Sequence, residues 1–207
     1  MRKFYTDDAG YALAKQVDDD LFALGKSLGN GDGSDWTHSN SFYVDCANCI
    51  AAYAEDTVAA TDIFTDLAFR ELIKQLDDND TPMENRFIVI PPSVRQTIMG
   101  IDRYNSSDFV DGRGVMNGQI GTLYGIDVYV SSNCPVIETA ANNTASAIDT
   151  KAAIIGHKDA MVLAEQMGVR SQTQYKQEYL SNLFTSDTLY GTEVLRPESA
   201  LVVAVPA

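Results

Sequence analysis

Positive charge is what this chain has least of. Its 207 residues include 15 lysines and arginines against 29 aspartates and glutamates, a formal net charge of −14. The basic residues are scattered, so they build no face that could gain affinity for DNA or RNA by releasing counterions. An anionic bilayer surface is disfavoured in the same way. Long apolar runs are missing too. The longest nearly uncharged apolar stretches lie near Ala51–Tyr53 and Ala152–Ile155, far short of the ~20 residues of a membrane-spanning helix. Met1 to Asp8 contain no apolar segment of the signal-peptide kind. There are three cysteines, an odd number that argues against a secreted disulfide framework. The expectation from composition is a soluble, acidic protein made in the cytoplasm. Apolar residues make up 45% and charged residues 21%, which is ordinary for a folded chain.

Local patterning predicts α+β. Leu13, Val17, Leu21, Leu24 and Leu28 share one face of a helix expected over Tyr5–Leu28, capped by Thr6 and ended by Gly29-Asn30-Gly31. Small residues Gly10 and Ala14 suggest a place where another backbone could come close. The polar, glycine-rich stretch 30–40 reads as an outward, mobile excursion, Ser41–Val44 as a short strand, and 62–76 as a helix capped by Thr61. Arg86–Ile90, stopped by Pro91-Pro92, is expected to be a buried strand, with Pro92 opening a helix to Ile101. Tyr104–Gly125 lacks periodicity. Ile126–Val130 and Lys151–Gly156 read as strands, and Glu138–Thr150 as an exposed loop. Asp159–Met167 is expected to be a helix ended by Gly168. Gln172–Glu178 reads as a strand, Tyr179–Leu189 as a helix, Tyr190-Gly191 as a turn, and Val194-Leu195 with Leu201–Val205 as a closing strand pair. Helices and strands do not alternate regularly, which favours α+β over a doubly wound sheet.

Each candidate for chemistry falls short of its requirements. Cys46-Ala47-Asn48-Cys49 is a C-x-x-C, but a redox pair needs a helix N-terminus to lower a thiol pKa. A zinc site needs two more ligands, and Cys134, His38 and His157 stand in no ligand spacing. Inert cysteines are favoured. Asp32 and Asp35 hint at calcium, yet counting from Asn30 puts Asp35 where an EF-hand requires glycine and Ser41 where it requires glutamate. Gly112, Gly114, Gly118, Gly121 and Gly125 miss the dinucleotide fingerprint by one residue, and no Gly-Lys-Ser/Thr follows. No G-x-S-x-G exists, and His157 reads as a structural histidine. Asp18-Asp19-Asp20 and Asp77-Asp78-Asn79-Asp80 read as solvated helix faces and ends. No residue is nominated as catalytic, cofactor-binding or metal-binding, and no cofactor is expected.

Several ordered segments resemble a known family. They are Met83–Pro92, Gly118–Pro135 (Gly-Gln-Ile-Gly-Thr-Leu-Tyr-Gly-Ile-Asp-Val-Tyr-Val), Gly156–Ala160 and Tyr190–Glu198, with Tyr5–Asp18 resembling the start of a long helix. In this order and spacing they are similar to the second half of major capsid proteins of tailed bacteriophages, especially the short-tailed marine and cyanophage type. The resemblance implies the Hong Kong 97-type coat fold and no enzymatic activity. The implied layout is residues 1–60 as a peripheral domain with its spine helix at about 5–28, 61–150 as mostly axial domain, and 151–207 shared between the two. It also implies self-assembly into hexamers and pentamers of an icosahedral shell enclosing double-stranded DNA, with scaffolding and portal proteins as partners and no membrane. The shell would assemble in the host cytoplasm, and the loops 30–40, 105–118 and 138–150 would be contact or surface loops. An N-terminal arm and extended loop normally precede the spine helix in that family. Their absence here is expected to reflect a truncated gene product or a late start codon. The alternatives are an encapsulin-like cellular shell and a thiol oxidoreductase using Cys46 and Cys49.

Overall fold

A computed structural model describes residues 2–45, 49–101, 121–143 and 147–207, with side chains from residue 6 onward in the first helix. The described elements are α1 (Arg2–Ala23), β1 (Ser41–Asp45), β2 (Cys49–Ala52), α2 (Asp66–Asp78), β3 (Arg86–Ile90), α3 (Pro92–Met99), β4 (Thr122–Leu123), β5 (Ile126–Val130), β6 (Val136–Glu138), β7 (Thr150–His157), β8 (Met161–Lys176), β9 (Ser181–Val194) and β10 (Ala200–Pro206). The architecture is α+β. A mixed sheet runs β2-β1-β10-β7-β3-β5-β4, with β6 on β7, and a separate ribbon pairs β8 with β9.

β10 lies inside the sheet, parallel to β1 and antiparallel to β7. Its residues Ala200 to Val205 are all buried. An uninterrupted apolar run suits a strand covered on both faces, because alternate side chains then all meet protein. Leu201, Val203 and Val205 join Phe69, Leu72, Leu76, Val94 and Ile98 beneath α2 and α3. Ala200, Val202 and Ala204 face the other way, onto Phe22, Leu28, Trp36 and Val58.

Four local expectations shift. α1 begins at Arg2, so Thr6 is interior, and the helix tightens into a 3-10 turn over Leu24–Ser27. The face predicted from its leucines is the half-buried one, with Leu28 fully buried. α2 is capped by Thr65, whose hydroxyl accepts from Ala68 N, and not by Thr61. Asp62 instead holds a turn by accepting from Ala59 N, which delays the helix. The excursion at 30–40 is tied inward: Trp36, His38 and Asn40 are buried, and Asn40 donates to the carbonyls of Pro197 and Ala200. The loop after Glu138 is not simply exposed. Glu138, Asn143 and Thr150 are buried, the first accepting from Tyr53 Oη and Asp56 N and the second donating to Val58 O.

The largest correction concerns 159–194. The two expected helices are strands, with short 3-10 turns at Lys158–Ala160 and Gln177–Tyr179. β8 and β9 pair antiparallel from Met161↔Val194 to Lys176↔Ser181, and this ladder overrides the helix propensity of Leu, Ala, Glu, Gln and Met. Gly168 lies at a register shift between Met167 and Arg170, the bulge position that glycine commonly marks. Tyr190 and Gly191 are mid-strand. Val194-Leu195 and β10 are no pair, since β9 belongs to the ribbon and β10 to the main sheet.

Candidate assembly surface

Two elements stand outside the packed sheet: α1 and the β8–β9 ribbon. In β9, Phe184, Ser186, Thr188, Tyr190, Thr192 and Val194 are half-buried and the residues between them are mostly exposed. That period of two marks one covered face. α1 supplies part of the cover. Tyr190 Oη donates to Asp20, a bond that raises the tyrosine pKa. Asp20 also accepts from Gln16 Nε2 at 2.9 Å, so one member of the acidic triplet 18–20 is a packing group, not a solvated one. A methyl on Gly10 would meet nothing within 4 Å, so the small residues there border open space.

The ribbon is anchored at its base, where Leu195 N and Arg196 N both donate to Ala160 O at 2.9 and 3.1 Å. Along its length Arg170 grips Asp187 through two nitrogens, at 2.7 and 3.3 Å. Its far end turns through Gln177–Tyr179, followed by Leu180 in the left-handed region (φ 46°, ψ 38°). The joint between α1 and the sheet is tight. Gly25 lies under Trp36, where a Cβ would come within 2.8 Å of the indole, and Lys26 Nζ sits 5.6 Å from the ring centre.

Between the C-terminal half of α1, the sheet and the base of the ribbon lies a cavity of about 520 Å³. Leu21 and Phe22 of α1, Phe87 and Val89 of β3, and Met161 and Leu163 of β8 line it, with exposed Asp18 and Lys158.

The residues singled out for chemistry are dispersed. Cys46, Gly112, Gly114 and Gly118 lie outside the described residues. Cys49 opens a strand with φ 73°, which is not the helix N-terminus that a redox pair needs. Cys134 is buried, and burial pushes its thiol up to about 11, keeping it protonated and unreactive. Asp32 is held by the hydroxyl and backbone N–H of Ser34, which lower its pKa. Asp35 accepts from Thr37 N. These are local turn bonds within the loop. His157 Nδ1 accepts from Asp159 N at 3.1 Å and caps the 3-10 turn. Tyr124 and Gly125 both take positive φ (52° and 79°) between the paired residues Leu123 and Ile126, the conformation of a two-residue hairpin turn. Asp77, from the second acidic run, pairs with the buried Arg86 at 2.6 Å. Among the described residues, no group of three or more His, Cys, Asp or Glu is placed to hold a metal, and no helix is long and apolar enough to cross a membrane. The cavity was missed by sequence reading because four separated segments build it.

A family profile described as phage capsid protein matches residues 5–193. No curated protein matches the sequence. Among solved structures, the fold is similar to the capsid of cyanophage P-SCSP1u, with a TM-score of 0.69 at 19% identity, covering 98% of this chain and 65% of that one. It is similar to the capsid of Ralstonia phage GP4, with a TM-score of 0.69 at 14% identity, covering 100% and 67%. It is also similar to the mature capsid of bacteriophage PhiM1, with a TM-score of 0.65 at 18% identity, covering 98% and 64%. The chain thus spans slightly less than two thirds of the cyanophage and PhiM1 capsid chains. At these identities the similarity establishes the fold, which is that of tailed-phage major capsid proteins and consistent with the Hong Kong 97 type.

Proposed function

Because the chain belongs to the phage capsid protein family, we propose that it is a coat subunit that self-assembles into hexamers and pentamers of an icosahedral shell around double-stranded DNA. The family match carries this reading, and the fold supports it. The chemistry required is geometric. Different patches on one surface meet in a heterologous contact, and repetition of that contact closes rings. The wall has no need to grip nucleic acid, and a net charge of −14 suits a container that encloses DNA without holding it tightly. We assign no catalysis, and place the protein in the virion shell after assembly in the host cytoplasm with scaffolding and portal proteins. In this layout α1 is the peripheral spine, residues 61–150 are mostly axial, and 151–207 contribute to both regions.

Electron microscopy and sedimentation of the purified chain, with and without a scaffolding protein, test the reading. Rings or closed shells are the expected result. A monomer at every concentration with scaffold present overturns it.

A further inference from the structure

We propose that His157 is a pH-sensitive latch at the joint between the main sheet and the β8–β9 ribbon. Such a latch is independent of the coat reading and stands whether or not the chain assembles. The chain crosses from sheet to ribbon at Lys158–Ala160, between β7 and β8, and returns through 195–199, between β9 and β10. The two crossings are tied at one atom. Ala160 is buried, and its carbonyl oxygen accepts from Leu195 N at 2.9 Å and from Arg196 N at 3.1 Å. Ala160 is also the last residue of the 3-10 turn that His157 caps. The cap therefore bears on both crossings.

The latch turns on which partner the ring takes. His157 Nδ1 accepts from Asp159 N at 3.1 Å, which places the proton of the neutral ring on Nε2. Asp159 Oδ2 lies 3.6 Å from the same Nδ1, too far for a hydrogen bond but within ion-pair reach. A protonated ring carries N–H at both nitrogens and accepts nothing. Its Nδ1–H then faces the Asp159 N–H, donor against donor, and the carboxylate becomes the better partner. A charge-assisted bond spans about 2.7–2.9 Å, so roughly 1 Å of movement is needed to make it. The histidine side chain is 9% exposed and that of Asp159 is 62% exposed, so the turn moves and not the ring. Asp159 is the middle residue of that turn. Exchanging its backbone N–H for its carboxylate removes the cap and loosens the hold of Ala160 O on the returning crossing. The other charged or titratable groups around the ring are Lys158 in the turn, Arg86 opposite it on β3, Asp18 and Tyr129 in the shared cavity, and Arg196 and Glu198 of the returning crossing. Arg86 is committed to Asp77, Thr81 O and Pro82 O, and the rest are exposed. Among the described residues, Asp159 alone forms an ion-pair contact with the ring.

Amide hydrogen exchange of the full chain tests the latch. Histidine ordinarily changes charge near pH 6.5, so the comparison is between about pH 7.5 and about pH 5.5. Exchange at the amides of Asp159, Leu195 and Arg196 is corrected for the intrinsic rate at each pH. Protection there is expected to fall about fivefold at the lower pH, the size of a lost cap. Amides of β7 and β10 serve as the reference, because they report opening of the sheet itself. His157→Asn keeps an acceptor oxygen where Nδ1 stands and does not titrate. In that variant the three amides are expected to be equally protected at both pH values. Asp159→Asn keeps the backbone donor and removes the anion, so the fall is expected to move to lower pH. Unchanged protection in the parent chain overturns the latch, as does a fall shared equally by β7 and β10, or one that persists in His157→Asn. The coat reading is untouched by any of these results.

Discussion

Gly156 is the position at which one methyl group should cost most. It sits in β7 opposite Ala200 of β10 on one side and Phe87 of β3 on the other. A Cβ there would stand 2.5 Å from Ala200 Cβ and 2.9 Å from both Ala200 Cα and Ser199 O. Carbon contacts are comfortable at about 3.5–4.0 Å, so the overlap is about 1 Å or more. Two of the three atoms met are backbone. Neither strand can retreat, because ladders on both sides hold them. Overpacking of this kind costs about 1–3 kcal/mol, and the backbone partners put Gly156→Ala at the upper end, about 3 kcal/mol. For a chain of this size that is a fall of roughly 6–12 °C in Tm. Ala200→Gly alone removes a buried methyl and frees the unfolded chain, costing about 1–2 kcal/mol. It also removes the nearest clash. The double variant should therefore be less destabilised than the sum of the two, with a coupling of about 1 kcal/mol. Thermal and urea unfolding followed by circular dichroism measure all four corners of this cycle. A Gly156→Ala chain within about 0.5 kcal/mol of the parent, or a strictly additive double variant, would refute the packing argument.

Three further outcomes follow from buried polar groups. His38 is buried, and burial lowers its pKa below the ordinary 6.5 despite the opposing effects of the Gly25 backbone and nearby Asp35. The unfolded chain then binds the proton more readily, so stability is complete above about pH 6.5 and falls as pH drops below that value; His38→Leu should flatten this limb of the Tm–pH curve. Arg86, with its side chain 2% exposed, donates to Asp77, Thr81 O and Pro82 O. Arg86→Met should lower stability by about 2–4 kcal/mol in urea unfolding, and a loss under 1 kcal/mol would show that this end of α2 needs no such clamp. Tyr53 Oη donates to Glu138 Oε1 at 2.8 Å, while Oε2 is buried and has no hydrogen-bond partner among the described residues. Tyr53→Phe should cost about 1–3 kcal/mol, and an unchanged midpoint would remove the tyrosine from that network.

Elements with local punctuation were legible in the sequence. β3 is an apolar run stopped by two prolines, α3 opens on Pro92, and the inward face of α1 follows from leucine spacing alone. The ribbon was not legible, for a physical reason. Leu163, Ala164, Glu165, Gln166 and Met167 favour a helix in isolation, and what makes them a strand is the partner ladder some 25 residues away. The signal available was in β9, where Phe184, Thr188, Tyr190, Thr192 and Val194 are strand formers arranged on a two-residue period. Buried Glu138 and Asn143 looked solvent-directed because their partners, Tyr53 and Val58, are 85 residues distant in each case. Of the assembly surface, the charge balance and the failed catalytic motifs could be read in advance. The cavity could not, since it exists only after α1, β3, β5, β7 and β8 have met.

Sheet and appendages differ in how far they are covered within the chain. β10 and its neighbours are covered on both faces, so their stability is settled within the chain. The ribbon is different. Two strands alone are marginal in water, and α1 covers only one of its faces, leaving Val162, Leu183 and Leu189 largely in solvent.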